Sequence, residues 1–209
     1  MKTLTQKTAT LFLVCLISLA ITGYTYSHWT DIATVLTTVK MGHLEITIND
    51  EKFICNYTFY PGKTGDNKTL TISAEITQGW QIWVGIIIKN NGTVPATITH
   101  ELTATNDIQY VGRFRNETHF YGPYTTIPPE VWCELNEGNP PPPSSPPPPG
   151  EQTPPIDLPV GQKLVVWQKI RLEDQPPNDF AIDIHSKYTA TLGPWQDWVQ
   201  VIYSLIVRR

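Results

Sequence analysis

Apolar and polar side chains alternate with a period of two along much of this chain. Leu44, Ile46 and Ile48 are separated by Glu45 and Thr47, and Phe53, Cys55, Tyr57 and Phe59 enclose Asn56 and Thr58. Leu70, Ile72, Ala74 and Ile76 alternate with Thr71, Ser73 and Glu75. Such spacing puts successive side chains on opposite faces of a strand. Residues 80–88 are almost continuously apolar, as in a strand buried on both faces. Val94, Ala96, Ile98 and Leu102 carry a further strand, and residues 108–114 another. The pattern returns at 164–172, 180–190 and 198–207, which makes about nine or ten strands, the number expected of a sandwich or jelly roll. Pro61-Gly62, Gly65-Asp66-Asn67 and Asn90-Asn91-Gly92 supply turns between runs, the last as a hairpin turn with positive-φ residues. Beyond the first 27 residues nothing keeps a helical period over three turns. The expectation is an all-β fold, a jelly-roll-like or Ig-like antiparallel β-sandwich preceded by a signal-peptide helix.

The first residues differ from the rest. Lys2 and Lys7 precede an apolar run over 9–21, followed by small and polar residues. This is the layout of a secretory signal, and the run is short of the ~20 residues that span a bilayer. Residues 1–27 therefore read as a signal peptide cut between Ser27 and His28, with Thr25 as the other cutting point. The alternative is an uncleaved signal anchor, with residues 23–26 extending the run to the membrane interface. Either way the expected location is outside the cytoplasm: secreted or on the cell surface, and membrane-anchored if the leader stays. Residues 42–209 are long enough for one sandwich domain. Within it, the stretch 138–155 holds two runs of four prolines around Ser144-Ser145. Proline cannot donate to a sheet ladder and favours extended polyproline II, so this stretch reads as an inserted, stiff exposed loop.

Charge narrows the partners. Without the leader the chain carries 13 basic and 19 acidic side chains, a formal charge of −6. No basic cluster offsets this, which argues against nucleic acid; a membrane role is confined to an uncleaved leader. Cys55 and Cys133 remain in the exported part, and a disulfide between them is the expectation in an oxidising compartment, with two buried thiols as the alternative. Asn56, Asn67, Asn91 and Asn116 each begin an N-x-S/T acceptor for N-glycosylation.

Chemistry-bearing motifs are sparse. The histidines at 28, 43, 100, 119 and 185 share no metal-ligand spacing, and neither nucleophile elbow nor phosphate loop is present. Glu173, Asp179 and Asp183 match no calcium loop. No catalytic residue, metal or cofactor is assigned. Trp80, Trp83, Trp132, Trp167, Trp195 and Trp198 read first as packing residues, and second as stacking surfaces for sugars.

Five short segments carry a resemblance. Asn90-Asn91-Gly92-Thr93-Val94-Pro95-Ala96 between two strands resembles the N-x-G-T-x-P-A turn of the TasA/camelysin family and its archaeal bundling-pilus relatives. Trp29-Thr30-Asp31 and Gly42-His43-Leu44-Glu45-Ile46 resemble that family's W/F-x-D element and G-x-L strand behind the leader. Tyr60-Pro61-Gly62 and Leu158-Pro159-Val160-Gly161 look like its two PG turns. The proline loop and the cysteines depart from the pattern. The resemblance implies a jelly-roll-like sandwich that polymerises into extracellular fibres by donor-strand exchange. Residues 28–41 are then the donor strand, with Trp29, Asp31, Ile32, Thr34, Leu36 and Thr38 as its marked positions. Ile32, Thr34, Leu36 and Thr38 alternate with Ala33, Val35, Thr37 and Val39, without proline or glycine. Pairing within the chain fits the same alternation. The expected partner is a second copy of the chain. The alternative is a surface adhesin that binds glycan or protein, and a more distant one is a camelysin-like peptidase.

Overall fold

A computed structural model describes residues 13–19, 42–132, 150–174 and 177–209. The chain divides into two units, Met1–Met41 and Gly42–Arg209. In the first, residues 13–19 are helical; among the described residues no helix is long and apolar enough to cross a membrane. The candidate donor strand and cleavage site (Ser27, His28, Trp29, Asp31, Ile32, Thr34, Leu36, Thr38) and the proline runs lie outside the described residues.

The second unit is a β-sandwich. Its strands are β1 (Ile46–Cys55), β2 (Tyr60–Lys63), β3 (Thr69–Ile76), β4 (Gln81–Asn90), β5 (Ala96–Asn106), β6 (Phe114–Tyr124), β7 (Glu151–Gln152), β8 (Ile156–Leu158), β9 (Lys163–Leu172), β10 (Phe180–Leu192) and β11 (Trp195–Val207). The first sheet has the order β1-β4-β9-β6-β7 and the second β2-β3-β11-β10-β5-β8. All described pairings are antiparallel except β3 with β11, which run parallel, so the second sheet is mixed rather than antiparallel throughout. Inward side chains of both sheets form one core, including Ile46, Ile72, Ile86, Val166, Ile184 and Tyr203.

β4 explains why its sequence does not alternate. Ile82, Val84, Ile86 and Ile88 face the core, while Trp83 and Ile87 belong to a second cluster with Trp167, Tyr121 and Val131. That outer cluster is roofed by the segment after β6, through Ile127, Val131 and Trp132. The Trp167 indole donates to the Val131 carbonyl at 3.0 Å. Gly85 makes room for this ring, since a Cβ there would lie 2.6 Å from it.

Four local expectations are corrected. Asn90-Asn91-Gly92 is not a hairpin turn: β4 and β5 lie in different sheets, and neither Asn91 nor Gly92 has positive φ. The Asn90 side chain is wholly buried and shapes the crossover instead, donating to Val94 O (2.9 Å) and Leu158 O (3.0 Å) and accepting from Gly92 N (3.0 Å). Pro61-Gly62 sits within edge strand β2, where Pro61 faces Ile72, a position that tolerates a residue without an N–H. Residues 108–113 form a 3-10 helix, and the strand follows at β6. Parts of the 44–48 and 53–59 runs join into one strand, β1, which ends at Cys55 and has a register shift between Ile48 and Asp50, while residues 56–59 lie outside any strand.

Cys55 is a free thiol, so no bridge from it is formed, and Cys133 lies outside the described residues. Cys55 packs towards the core, beside the Trp80 indole, whereas Ile54 packs on the opposite side with Trp132. Burial pushes the Cys55 thiol pKa up, which leaves it a poor nucleophile.

Candidate functional site: a lateral cleft between two strand edges

The two long sides of the sandwich differ. On the β1 side the sheets are sewn together. Lys68 Nζ reaches Asp197 Oδ2 (2.5 Å) and Ile46 O (2.6 Å), Ile46 N donates to Asp197 Oδ2 (2.7 Å), and Ile48 N donates to Asn67 O (2.8 Å). Lys63 pairs with Glu51 across β2 and β1 at 2.7 Å.

On the opposite side the closure is partial. β7 pairs with β6 only at Phe120 and Tyr121, and β8 pairs with β5 only at residues 96–98. Among the described residues, 114–119 of β6 pair on one side, with β9, and 99–106 of β5 on one side, with β10. Among the described residues both sheets therefore end in free edges along the same flank, where outward backbone N–H and C=O groups have no ladder partner. Burial follows this geometry. Ala96 and Ile98 are buried, His100 is half-buried, and Leu102 is 37% exposed although it faces inward opposite the buried Ser186.

Between these edges lies a cleft of about 470 Å³ lined by His100, Asn116, Thr118, Phe120, Glu151 and Gln152, with Thr153 and Pro154. Its inner wall is polar, unlike the rest of the core. His100 Nε2 lies 2.9 Å from Ser186 Oγ, which donates to the Tyr188 hydroxyl at 2.9 Å. From the other sheet, Gln168 donates to Asn116 Oδ1 (2.8 Å) and accepts from the Tyr203 hydroxyl (2.8 Å). Ser186 and Gln168 are buried, so each needs these partners. Sequence reading missed this network: its members stand singly in apolar strands, and the register alone brings them together.

His100 stacks on Tyr188 at 4.8 Å and meets Phe120 edge-on at 5.5 Å. Burial pushes its pKa down to about 4. The folded protein then binds fewer protons than the unfolded chain between about pH 4 and 6.5. This contribution to stability is complete above pH 6.5 and drains as pH falls towards 4. It amounts to at most about 3 kcal/mol, reduced by solvent screening at a half-buried ring. Urea unfolding at pH 7 and pH 4.5 should show the loss, and His100→Gln should flatten it. An unchanged pH slope in that variant would remove His100 as the cause.

The tryptophans are mostly structural. Trp80 and Trp167 are fully buried, and the rings of Trp83 and Trp132 are covered by Lys169 and Lys52 at 5.2 and 5.0 Å. Trp195 and Trp198 are exposed at the β10–β11 turn. The four glycosylation acceptors are all exposed. Asn56 bridges to Gly79 O and Gln81 N, and Asn67 takes the positive-φ place in its turn. Asn91 bonds Thr47, and Asn116 stands on the lip of the cleft. Among the described residues no group of three His, Cys, Asp or Glu side chains could hold a metal ion.

No family model matches the sequence, and no curated protein matches it. Among solved structures, the chain is similar to a family 123 glycoside hydrolase from Clostridium perfringens, with 10% identity and a TM-score of 0.39. That likeness covers 79% of this chain and 27% of the hydrolase, so the chain spans about a quarter of the hydrolase's length. It is also similar to the N-terminal domain of PorA, with 11% identity and a TM-score of 0.30, covering 75% of this chain and 97% of that one. Likenesses this loose say nothing of a shared activity.

Proposed function

We propose that this protein is an exported structural subunit of cell-surface or extracellular-matrix fibres, joined by donor-strand complementation between copies. The observation that carries this reading is the one-sided closure of the sandwich: one flank is sewn shut, and on the other the described residues leave two strand edges free around a cleft. Strand addition to such an edge draws affinity from main-chain hydrogen bonds and specificity from alternate side chains. Residues 28–41 offer the alternation the edge requires. Threonine and aliphatic side chains share each of their faces, which suits a cleft where Phe120 stands beside His100, Asn116 and Thr118. The resemblance of the sequence to the TasA/camelysin family points the same way.

A second reading is a monomeric or membrane-anchored surface adhesin. The cleft volume favours it, being within the ~300–1,000 Å³ usual for small-ligand sites, and convergent polar groups suit a hydroxyl-rich glycan. The two readings separate on one titration. A synthetic peptide of residues 28–41 added to the 42–209 sandwich should bind saturably and raise the thermal midpoint. The adhesin reading predicts no peptide effect and a shift on adding glycan instead.

A further inference from the structure

We infer that copies of this chain meet end to end, with the Val160–Leu192–Trp195 surface of one copy packed on the 3-10 helix (Ile108–Arg113) of the next. The direction of this contact rests on the strand-exchange reading; the two apolar surfaces do not.

β10 runs the length of the sandwich and fixes its two ends. At one end Leu192 and Trp195 face each other across the Gly193-Pro194 turn, and Trp195 is 65% exposed. Val160, in the turn between β8 and β9, is also exposed at this end. β5 places them together: its Thr97 faces Thr191 of β10, and its Ala96 faces Leu158 of β8. At the other end the 3-10 helix joins β5 to β6, with Tyr110 stacked on Phe180 at 4.3 Å. Ile108 there is 59% exposed, and Val111 is exposed beside it. Aromatic and aliphatic side chains clustered on an otherwise polar surface mark a contact surface.

The chain itself indicates the occupant. The sandwich begins at the Trp195 end, where His43 O accepts from Thr93 N and Ile46 N is bound to Asp197. Residues 28–41 directly precede Gly42, so an arm made of them and reaching another copy departs from this end. The cleft it would enter is closed by β7 and β8 at its own Trp195 end and stays free towards the 3-10 helix. An arm entering there brings the Trp195 end of the donor against the 3-10 end of the acceptor. This contact joins two different surfaces, so it repeats without closing and gives a filament. A lipid surface would account for the Trp195 end alone and leave Ile108 and Val111 without a role.

The test uses the full mature chain, 28–209, with p-benzoylphenylalanine in place of Trp195, irradiated in solution and mapped by mass spectrometry. Intermolecular cross-links to residues 106–114 are expected. Ile108→Ser with Val111→Ser should weaken them about tenfold, the scale of a truncated interface hot spot. Cross-links elsewhere, no intermolecular cross-link, or capture of phosphatidylcholine from added vesicles would each overturn the contact. Binding of the 28–41 peptide to the 42–209 sandwich is measured separately. Loss of that binding counts against strand exchange, while the cross-link still decides the end contact.

Discussion

Asn90→Ala should cost the sandwich about 2–6 kcal/mol, the sum expected for two carbonyls, Val94 O and Leu158 O, left without their donor at roughly 1–3 kcal/mol each. The side chain serves Val94 O, Leu158 O and Gly92 N at once, and its backbone N–H and C=O bond Gln162 O and Gly161 N. Asn90 thus ties three passages of chain: the crossover from β4 to β5, the β8–β9 turn and the end of β4. Gly92 completes the joint. Its N–H donates to Glu45 O at 3.1 Å, and a Cβ would stand 2.3 Å from His43 O, so the entering chain lies too close for any side chain. Against a domain stability of about 5–15 kcal/mol, the Asn90 loss is large. Urea denaturation should show a fall in midpoint with little change in slope. A loss below about 1 kcal/mol, the net worth of a single ordinary hydrogen bond, would show that water replaces the amide and that the joint is not structural. Asn90→Asp should be little better, because it removes both donated bonds and buries a charge.

The second large effect concerns assembly rather than stability. Purified residues 28–209 should form filaments visible by electron microscopy, and deletion of 28–41 should abolish them. The shortened chain should keep its β circular dichroism, since the core is made of residues from 46 to 207. Filaments formed by the shortened chain would show that the arm is dispensable. Unfolding of the shortened chain would instead indicate that the arm completes its own sheet.

The sandwich was legible in the sequence because inward positions recur every second residue. β3 and β10 show this most plainly, with Leu70, Ile72, Ala74, Ile76 and Phe180, Ile182, Ile184 all buried. β6 was hidden for the same physical reason that it lines the cleft. Half of it faces a partly open flank, so Asn116 and Thr118 stand where a closed core would take apolar side chains, and the alternation fades. The 3-10 helix misled in the other direction. Ile108 and Val111 look like strand positions but remain exposed, and only Tyr110 and Phe114 pack against the core. Asn90-Asn91-Gly92 has the composition of a hairpin turn, yet a buried amide that bonds three passages is a tertiary feature. No local pattern distinguishes it from turn chemistry. The cysteines illustrate a similar limit, since spacing cannot tell which face of an edge strand a thiol will take.

Backbone amide exchange of β6 tests strand addition most directly. Peptides covering residues 114–119 are followed by mass spectrometry in the 42–209 sandwich, alone and with saturating 28–41 peptide. The account predicts fast exchange of the outward amides alone and marked protection once the peptide is bound, with β4, beyond β9 in the same sheet, unchanged. Equal exchange in both samples at peptide saturation would contradict it, because a strand added to this edge must take up those hydrogens.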